Sequence, residues 1–254
     1  MFKITQKLAA AVLAFATFNA NALVIDIAII YSDQSASESG NINAWIDQTI
    51  ADANYIYSIN NVRGNDGSLV EVRVVDIEST TAELTPSSSW LDAVRTSTWV
   101  DDIRTNSRAD LVVALGVAEE IFENGQLVGY VCGIGYLGQV SGSSLRSDLG
   151  FSVTSVDCGW STFTHELGHN MGLAHASEQG GVGSIFDYGR GYGVNNDFAT
   201  IMAYPQSFGS ATQIPYFSNP GLTTDNTGRA MGREDFADSH RAMGPVVDSI
   251  ANFN

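Results

Sequence analysis

Basic residues are scarce in this chain and unevenly placed. Twelve lysine and arginine residues stand against 28 aspartate and glutamate residues, which gives a formal net charge of −16 over 254 residues. The two lysines are Lys3 and Lys7, and the other ten basic residues in this count are arginines. A surface this acidic repels nucleic acid and anionic membranes, so the sequence predicts neither of them as a partner.

Long apolar runs are lacking after the first 22 residues, so no later segment is expected to cross a membrane. Those first residues carry both lysines, then a short apolar run over residues 8–18, then Ala20-Asn21-Ala22. This order is typical of a signal peptide (residues 1–22), and a buried N-terminal helix is the alternative. We therefore expect a secreted protein whose residues 23–254 form one generous domain or two small ones, and we expect a monomer.

Apolar patterning divides the rest of the chain into an ordered half and an irregular half. Runs of β-branched residues and alternating apolar residues predict strands, and apolar residues at helical spacing predict helices. The predicted elements of the first half are strands at 23–31, 69–77, 111–115, 131–137 and 151–156, and helices at 41–62 and 89–106. Such alternation predicts an α/β domain with a largely parallel sheet, and the glycine-rich strand at 131–137 is expected at its edge.

The second half is poor in periodicity. Residues 177–233 are rich in glycine, asparagine, aspartate, serine and tyrosine, a composition that indicates a long functional loop region in a compact domain. Apolar spacing then predicts a closing helix at 234–251, which Pro245 is expected to bend.

Histidine is scarce in this chain, and three of the four histidines stand close together. A helix beginning near Ser161 would place His165 and His169 one turn apart on the same face. Gly172 can end that helix, so that the chain turns back and presents His175 as a third ligand. Three imidazoles suit a catalytic zinc ion, and Glu166 beside the first of them suits a general base. His240 is interpreted as a solvated surface residue.

Only two cysteines occur, Cys132 and Cys158. In an exported chain a disulfide between them is expected, and closing a loop of this size contributes about 3 kcal/mol in the chain-entropy model. Zinc ligation by the thiolates is the weaker alternative because three histidines already complete a catalytic set.

The segment from His165 to His175 has the pattern HExxHxxGxxH, and it resembles the metzincin zinc proteases. The resemblance extends over almost the whole of residues 23–254. It implies a twisted five-stranded mixed sheet with long helices and the active-site helix in an upper subdomain (23–175), and an irregular lower subdomain (176–254) that ends in a helix. Substrate is expected in the cleft between the two.

Two downstream residues fit the same resemblance. Metzincins place a methionine in a tight turn beneath the zinc ligands, and Met202 in Thr200-Ile-Met-Ala-Tyr-Pro205 corresponds to this Met-turn. Tyr204 follows two positions later, where related branches have a tyrosine that binds zinc and stabilises the transition state. A packed aromatic side chain is the alternative for Tyr204.

The predicted edge strand is the candidate substrate-binding strand. An extended polypeptide can add to such an edge through main-chain hydrogen bonds, here along Gly133, Ile134, Gly135 and Tyr136. Because Cys132 borders this strand and Cys158 precedes the zinc helix, a disulfide would tie the strand to the metal site.

Within the metzincins, residues 131–137 and 214–220 resemble bacterial secreted reprolysin-like enzymes, including the peptidyl-Asp endopeptidases. A preference for acidic residues would be served by Arg190 or Arg229. Reprolysin-like members commonly have aspartate after the third histidine, where this chain has Ala176, so the branch stays open. Loops at 195–197 and 224–226 offer oxygen ligands for calcium, but no EF-hand spacing occurs and surface loops are the favoured interpretation.

The motif and its context together predict a secreted zinc metalloendopeptidase, in which Glu166 activates a water that attacks a peptide bond. The alternative is an exported zinc-containing binding or adhesion module that uses the same cleft without cutting. Glu166 and the Met-turn favour the enzyme.

Overall fold

A computed structural model describes residues 22–141, 144–224 and 227–254. The predicted signal peptide therefore lies outside the described residues, apart from Ala22. In chain order the helices are α1 (Asp33–Glu38), α2 (Ile42–Ile59), α3 (Ser88–Thr96), α4 (Thr98–Ser107), α5 (Thr162–Asn170) and α6 (Ser239–Ile250). The strands are β1 (Leu23–Ser32), β2 (Val70–Thr80), β3 (Leu111–Gly116), β4 (Glu119–Glu123), β5 (Gln126–Val131), β6 (Gly133–Gly135), β7 (Val140–Ser141), β8 (Ser144–Leu145), β9 (Phe151–Ser155), β10 (Gly193–Val194), β11 (Phe198–Ala199), β12 (Thr212–Gln213), β13 (Asn219–Thr223) and β14 (Ala230–Met231).

The centre of the fold is a five-stranded sheet in the order β2-β1-β3-β9-β6. The neighbours β2, β1, β3 and β9 are parallel, and β6 runs antiparallel to β9 at one edge. The predicted mixed α/β architecture is thus confirmed. The central strands β1 and β3 are largely apolar because helices cover both of their faces.

Two apolar layers cover the two faces of this sheet. Successive residues of β1 point to opposite faces, so Ile25, Ile27 and Ile29 join one core cluster while Ala28 and Ile30 join the other. The first cluster is completed by α2, α5 and α6, and the second by α3 and α4. The helix that bears two of the histidines therefore packs on the same face as the long helix α2.

The helix predicted at 89–106 is wrong in one respect, because the structure has two helices, α3 and α4. Ser97 ends the first and caps the second: its backbone is extended (φ −75°, ψ 121°) and its side chain accepts a hydrogen bond from the Val100 N–H. A serine side chain that satisfies the first free N–H groups of a new helix stabilises such a break.

The strand predicted at 131–137 is also only partly correct. Val131 ends β5, and the edge strand β6 is the short stretch Gly133–Gly135, with Tyr136 just beyond it. The hairpin of β4 and β5 was not predicted, although Asn124 and Gly125 at its turn carry a strong hairpin signal. Both residues have the positive φ that such a turn requires, 53° and 79°.

The second half of the chain is irregular, as predicted, with short strand pairs between His175 and the closing helix. That helix, α6, begins later than the predicted residue 234, because the Asp238 side chain accepts a hydrogen bond from the Arg241 N–H and caps it. Pro245 lies inside the helix. Among the described residues, no helix is both long enough and apolar enough to cross a membrane.

Candidate metal centre

Two of the three clustered histidines are fixed by α5, a nine-residue helix that is buried along nearly its whole length. His165 and His169 are one turn apart, and their Nε2 atoms lie 3.1 Å from each other. The C-terminal end of the helix is anchored to the sheet edge, since Gly138 N–H donates to the His169 carbonyl and Asn170 Nδ2 donates to the carbonyls of Tyr136 and Phe151.

The helix ends where the sequence predicted. Met171 is its cap, and Gly172 has φ +83°, a left-handed conformation that side chains with a Cβ rarely adopt. The chain reverses there and brings His175 back, with its Nε2 atom 3.1 Å from those of both His165 and His169. The triangle formed by these three atoms matches the spacing of about 3.3 Å expected for three tetrahedral ligands at zinc–nitrogen distances of about 2.0–2.1 Å.

The other ring nitrogens orient the imidazoles. Nδ1 of His165 lies 2.7 Å from the Ile201 carbonyl oxygen, and Nδ1 of His169 lies 2.8 Å from the Leu173 carbonyl oxygen. A carbonyl can only accept, so each Nδ1 carries the proton and each Nε2 offers a lone pair to the centre of the triangle. This donor set fits a divalent transition-metal ion, and these histidines are the group that could hold one among the described residues.

Burial keeps the three imidazoles neutral. It lowers the pKa of His165 well below its ordinary value, lowers the pKa of His169 to about 4, and lowers the pKa of His175. Repulsion among the three rings lowers the first two further. At neutral pH the cluster is therefore in the deprotonated form that metal binding requires.

Glu166 is buried beside the first histidine, with only 4% of its surface exposed. Its carboxyl group rests on the backbone of the edge strand: a Cβ at Gly133 would overlap Oε1, and a Cβ at Gly135 would lie 3.2 Å from Oε2. Burial raises the pKa of Glu166 to about 8. The glycines of β6 thus leave the space that the carboxyl group occupies.

Met202 forms the floor beneath the helix. It is fully buried, and a Cβ at Gly168 of α5 would lie 2.5 Å from its Sδ atom. The preceding residue, Ile201, supplies the carbonyl that orients His165, and Ala203 N–H closes a turn on the Thr200 carbonyl. The assignment of Met202 to a Met-turn stays a prediction.

Tyr204 reaches the triangle from the open side. Its hydroxyl oxygen lies 3.1 Å from Nε2 of His175, and its ring centroid lies 4.5 Å from that of the same histidine. Burial of the hydroxyl, reinforced by the charge of Glu166, raises the pKa of Tyr204 to about 12, so the phenol keeps its proton. Sequence reasoning missed the residue that holds this tyrosine: Tyr204 N–H donates to Oε1 of Gln179 at 3.0 Å.

The predicted disulfide is confirmed. Cys132 and Cys158 are bonded, with their Cα atoms 5.7 Å apart. The bond joins the residue before β6 to the segment before α5, and the Ser155 N–H and hydroxyl both donate to the Cys132 carbonyl. The edge strand and the histidine helix are therefore tied together covalently.

The edge strand borders a cleft of about 360 Å³. The cleft lies between Gly135 and Leu137 on one side and the loop of Gln179, Gly180, Gly181 and Val182 on the other, with His169 and His175 between them. Among the described residues β6 pairs with β9 alone, so its second edge faces away from the sheet. Tyr136 is outside the strand, and its hydroxyl is engaged by Arg95 and Asp92 of α3.

The other predicted candidates lie apart from the histidine triangle. His240 is partly exposed, and its Nε2 lies 3.4 Å from the Asn61 carbonyl oxygen. Arg190 donates to the Asp187 carbonyl and lies over the Phe236 ring. Neither Arg190 nor Arg229 lines the described cleft.

The calcium candidates are partly occupied by protein partners. Asp197 accepts a hydrogen bond from Thr227 and lies 3.5 Å from Arg229, and Asn196 Oδ1 accepts from Ser210. Asp225 and Asn226 lie outside the described residues. A calcium site there stays a prediction.

Comparison with known proteins shows which protein family this chain resembles. The model for metallo-peptidase family M12B, reprolysin-like, matches residues 43–176, which run from α2 to just beyond His175. A peptidyl-Asp metalloendopeptidase of Pseudomonas aeruginosa is 43% identical over 142 residues, which are 49% of this chain and 24% of that protein. A protein of the same name from Stenotrophomonas maltophilia is 25% identical over 236 residues, which are 86% of this chain and 49% of the relative.

The chain therefore spans at most about half the length of these curated relatives. Among solved structures, one described as a chaperone-substrate complex has a similar fold, with a TM-score of 0.66 and 19% identity. The match covers 92% of this chain and 35% of that one.

Proposed function

Because this chain belongs to the reprolysin-like metallopeptidase family M12B, we propose that it is a zinc-dependent metalloendopeptidase acting on polypeptides. One observation carries the proposal: three Nε2 atoms converge at 3.1 Å from one another, with the buried carboxyl group of Glu166 on the adjoining residue. A site that only binds a metal ion would need the three histidine ligands but not a buried carboxyl group beside them.

His165, His169 and His175 would hold the metal, and their three neutral nitrogens favour zinc. Bound there, zinc supplies Lewis-acid polarisation of a carbonyl and makes a water molecule more acidic. The Nδ1 contacts of His165 and His169 keep those two rings in the orientation and tautomer that this role requires.

Glu166 is assigned as the general base and acid. It would take a proton from the attacking water and pass it to the leaving amine. Burial raises the pKa of this carboxyl group, which helps it to hold the proton between the two transfers. The close contact with Gly133 limits the positions that the carboxyl group can take.

Tyr204 is assigned the role of stabilising the negative charge that develops on the carbonyl oxygen during the reaction. A phenol that keeps its proton and points at the metal side of His175 can donate a hydrogen bond to an oxyanion. Met202 is assigned the role of supporting α5, because its thioether fills the space beneath Gly168.

The substrate is proposed to lie extended along β6. Gly133, Ile134 and Gly135 would pair with it through main-chain hydrogen bonds, and the cleft beside His169 would hold its side chains. The name of the relatives suggests cleavage next to aspartate. For this preference Arg190 is the better candidate, since its neighbours Gly189 and Gly191 are hydrogen-bonded to Ala174, next to His175.

Export fits this function. We propose that residues 1–22 are a signal peptide and that residues 23–254 are the catalytic domain, divided at 175/176 into upper and lower subdomains. The disulfide supports a location outside the reducing cytosol, and a monomer would suffice because the ligands and Glu166 all come from one chain.

Replacing Glu166 tests the proposal. Glu166→Gln should keep about one zinc ion per chain, because the three imidazoles are untouched, and should lower kcat for peptide cleavage by about 100- to 10,000-fold. Metal analysis and a quenched-fluorescence peptide assay measure the two quantities. Glu178→Gln, an exposed glutamate three residues after His175, is the matched control and should keep full activity.

Turnover in Glu166→Gln equal to that of the wild type would refute the assignment of the base. A wild-type chain that holds zinc and binds polypeptides but does not cut them would favour the alternative function, a binding or adhesion module.

A further inference from the structure

The hairpin of β4 and β5 exposes an unusual amount of apolar surface. Five large apolar side chains on its two short strands have exposed fractions between 40% and 58%, namely Ile121, Phe122, Leu127, Val128 and Tyr130. In the same region of the chain, Val140 and Trp160 are about half exposed. Exposed apolar side chains grouped on one hairpin of a protein with a strongly acidic net charge indicate a binding surface.

These side chains do not serve the core. Within the described part of the chain, β4 and β5 form a two-stranded sheet of their own, and none of the five residues belongs to the core clusters. An isolated two-stranded ribbon is marginally stable in water. Apolar side chains on both of its strands therefore need a reason other than folding.

The base of the hairpin is nevertheless held firmly. Ahead of β4, the Ala118 N–H donates to the Asp157 side chain at 2.9 Å. After β5, Cys132 is bonded to Cys158. Both attachments are made to adjacent residues just before α5, so the hairpin is fixed relative to the histidine helix while its tip stays in solvent.

The hairpin also continues the proposed substrate strand. Only Cys132 separates the end of β5 from the start of β6. A polypeptide that pairs with the free edge of β6 and continues past Gly133 reaches the base of the hairpin. The six residues of β5 extend a further distance of about 20 Å.

The charge of the hairpin restricts its partner. Glu119, Glu120 and Glu123 lie on β4, and residues 119–131 contain no basic side chain. A surface that combines exposed apolar groups with three carboxylates is complementary to a chain with apolar and positively charged residues.

We propose that the β4–β5 hairpin is an accessory substrate-binding surface, which holds an apolar and basic segment of a polypeptide substrate at a distance from the bond that is cut. The proposal rests on the proposed peptidase function. It implies that the enzyme favours long, unfolded or extended chains over short peptides with the same cleavage sequence.

The test compares two substrates on one set of variants. One substrate is a quenched-fluorescence peptide of about eight residues around a cleavage sequence, and the other carries the same sequence with about twenty apolar and arginine residues added on each side. The test variant replaces Phe122, Val128 and Tyr130 by threonine, which keeps the preference for strand conformation. The control replaces Tyr55 by glutamine and Ile77 by threonine, two exposed apolar residues outside the hairpin.

In the test variant, kcat/KM for the long substrate should fall at least about tenfold, chiefly through a higher KM, while kcat/KM for the short peptide stays unchanged. The control variant should change neither. A further variant, Glu119→Gln with Glu120→Gln and Glu123→Gln, should weaken the preference for arginine over glutamine in the extensions.

Two results would overturn the proposal. The first is a test variant with unchanged zinc content and melting temperature in which kcat/KM changes by the same factor for both substrates, or for neither. The second is a wild-type dimer in sedimentation that the test variant converts to a monomer, since the hairpin would then bind a second copy of the chain. Failure of the wild type to cleave either peptide would instead refute the proposed function.

Discussion

At the scale of single residues, the glycines of the site matter as much as its reactive side chains, because they leave the space that those side chains occupy. Gly133 and Gly135 leave the space in which the Glu166 carboxyl group lies, and Gly168 leaves space for the Met202 thioether. The three histidines and Glu166 were predictable, because helical spacing and a terminating glycine are local properties of the sequence. The contact between Gly133 and Glu166 joins residues far apart in the chain and was not.

Gly133→Ala tests this contact. The added methyl group would overlap Oε1 of Glu166, so the carboxyl group must move, and kcat should fall by about 10- to 100-fold. Zinc content should stay the same because no imidazole is touched. Gly129→Ala on β5 is the matched control: its Cβ would meet only Ile121 Cδ1, at 3.9 Å, and activity on a short peptide that does not reach the hairpin should be kept. Equal activity of the two variants would show that the position of Glu166 tolerates the shift.

Tyr204 gives a second test at this scale. Tyr204→Phe removes the hydroxyl that lies 3.1 Å from His175 Nε2 and should lower kcat at least about tenfold, equivalent to about 1.4 kcal/mol, with bound zinc unchanged. Unaltered turnover would remove this residue from the mechanism.

Gln179→Ala should reproduce part of the Tyr204 effect, because it removes the acceptor of the Tyr204 N–H. In a Tyr204→Phe background the same change should have much less effect on kcat, since the group that it positions is gone. Additive effects of the two substitutions would mean that Gln179 acts independently of the tyrosine hydroxyl.

At the scale of secondary-structure elements, local signals predicted most of what was observed. The strands β1 and β3 were predicted correctly because burial on both faces leaves a continuous apolar run, and α2 because burial on one face leaves apolar residues at helical spacing. The break at Ser97 was missed because the helical periodicity continues through it while one serine caps a new helix. The turn between β4 and β5 has a local signal in the sequence, since Asn124 and Gly125 both adopt the positive φ that such a turn requires.

The disulfide is the covalent link between two elements of the site. Replacing Cys132 and Cys158 by serine should lower the free energy of unfolding by about 3 kcal/mol, measured by urea denaturation. It should also lower kcat at temperatures well below the melting transition, because β6 is no longer tied to the segment before α5.

Ile103→Ala separates these two effects. This buried residue lies on α4, on the opposite face of the sheet from α5, and its truncation should cost about 2–5 kcal/mol while the covalent link between β6 and the segment before α5 stays intact. If both variants keep full kcat at low temperature, the disulfide serves stability alone.

At the scale of the whole molecule, the sequence indicated an ordered α/β half followed by an irregular half, and the structure has both. Its first half supplies the sheet edge, two histidines and Glu166, and the turn after α5 supplies the third histidine. The irregular half supplies Met202 and Tyr204, residues whose positions depend on long-range packing. The chain's acidity, with a formal charge of −16, fits a partner that is a polypeptide and not a nucleic acid.

We propose that one metal ion, held by His165, His169 and His175, enables peptide cleavage. The direct measurement is a zinc titration of metal-free protein, with cleavage of an unfolded polypeptide followed at each step. We expect no cleavage without metal, and activity that rises linearly with added zinc and stops rising at one ion per chain. Cleavage that persists in fully metal-free protein, or a chain saturated with zinc that does not cut, would contradict it.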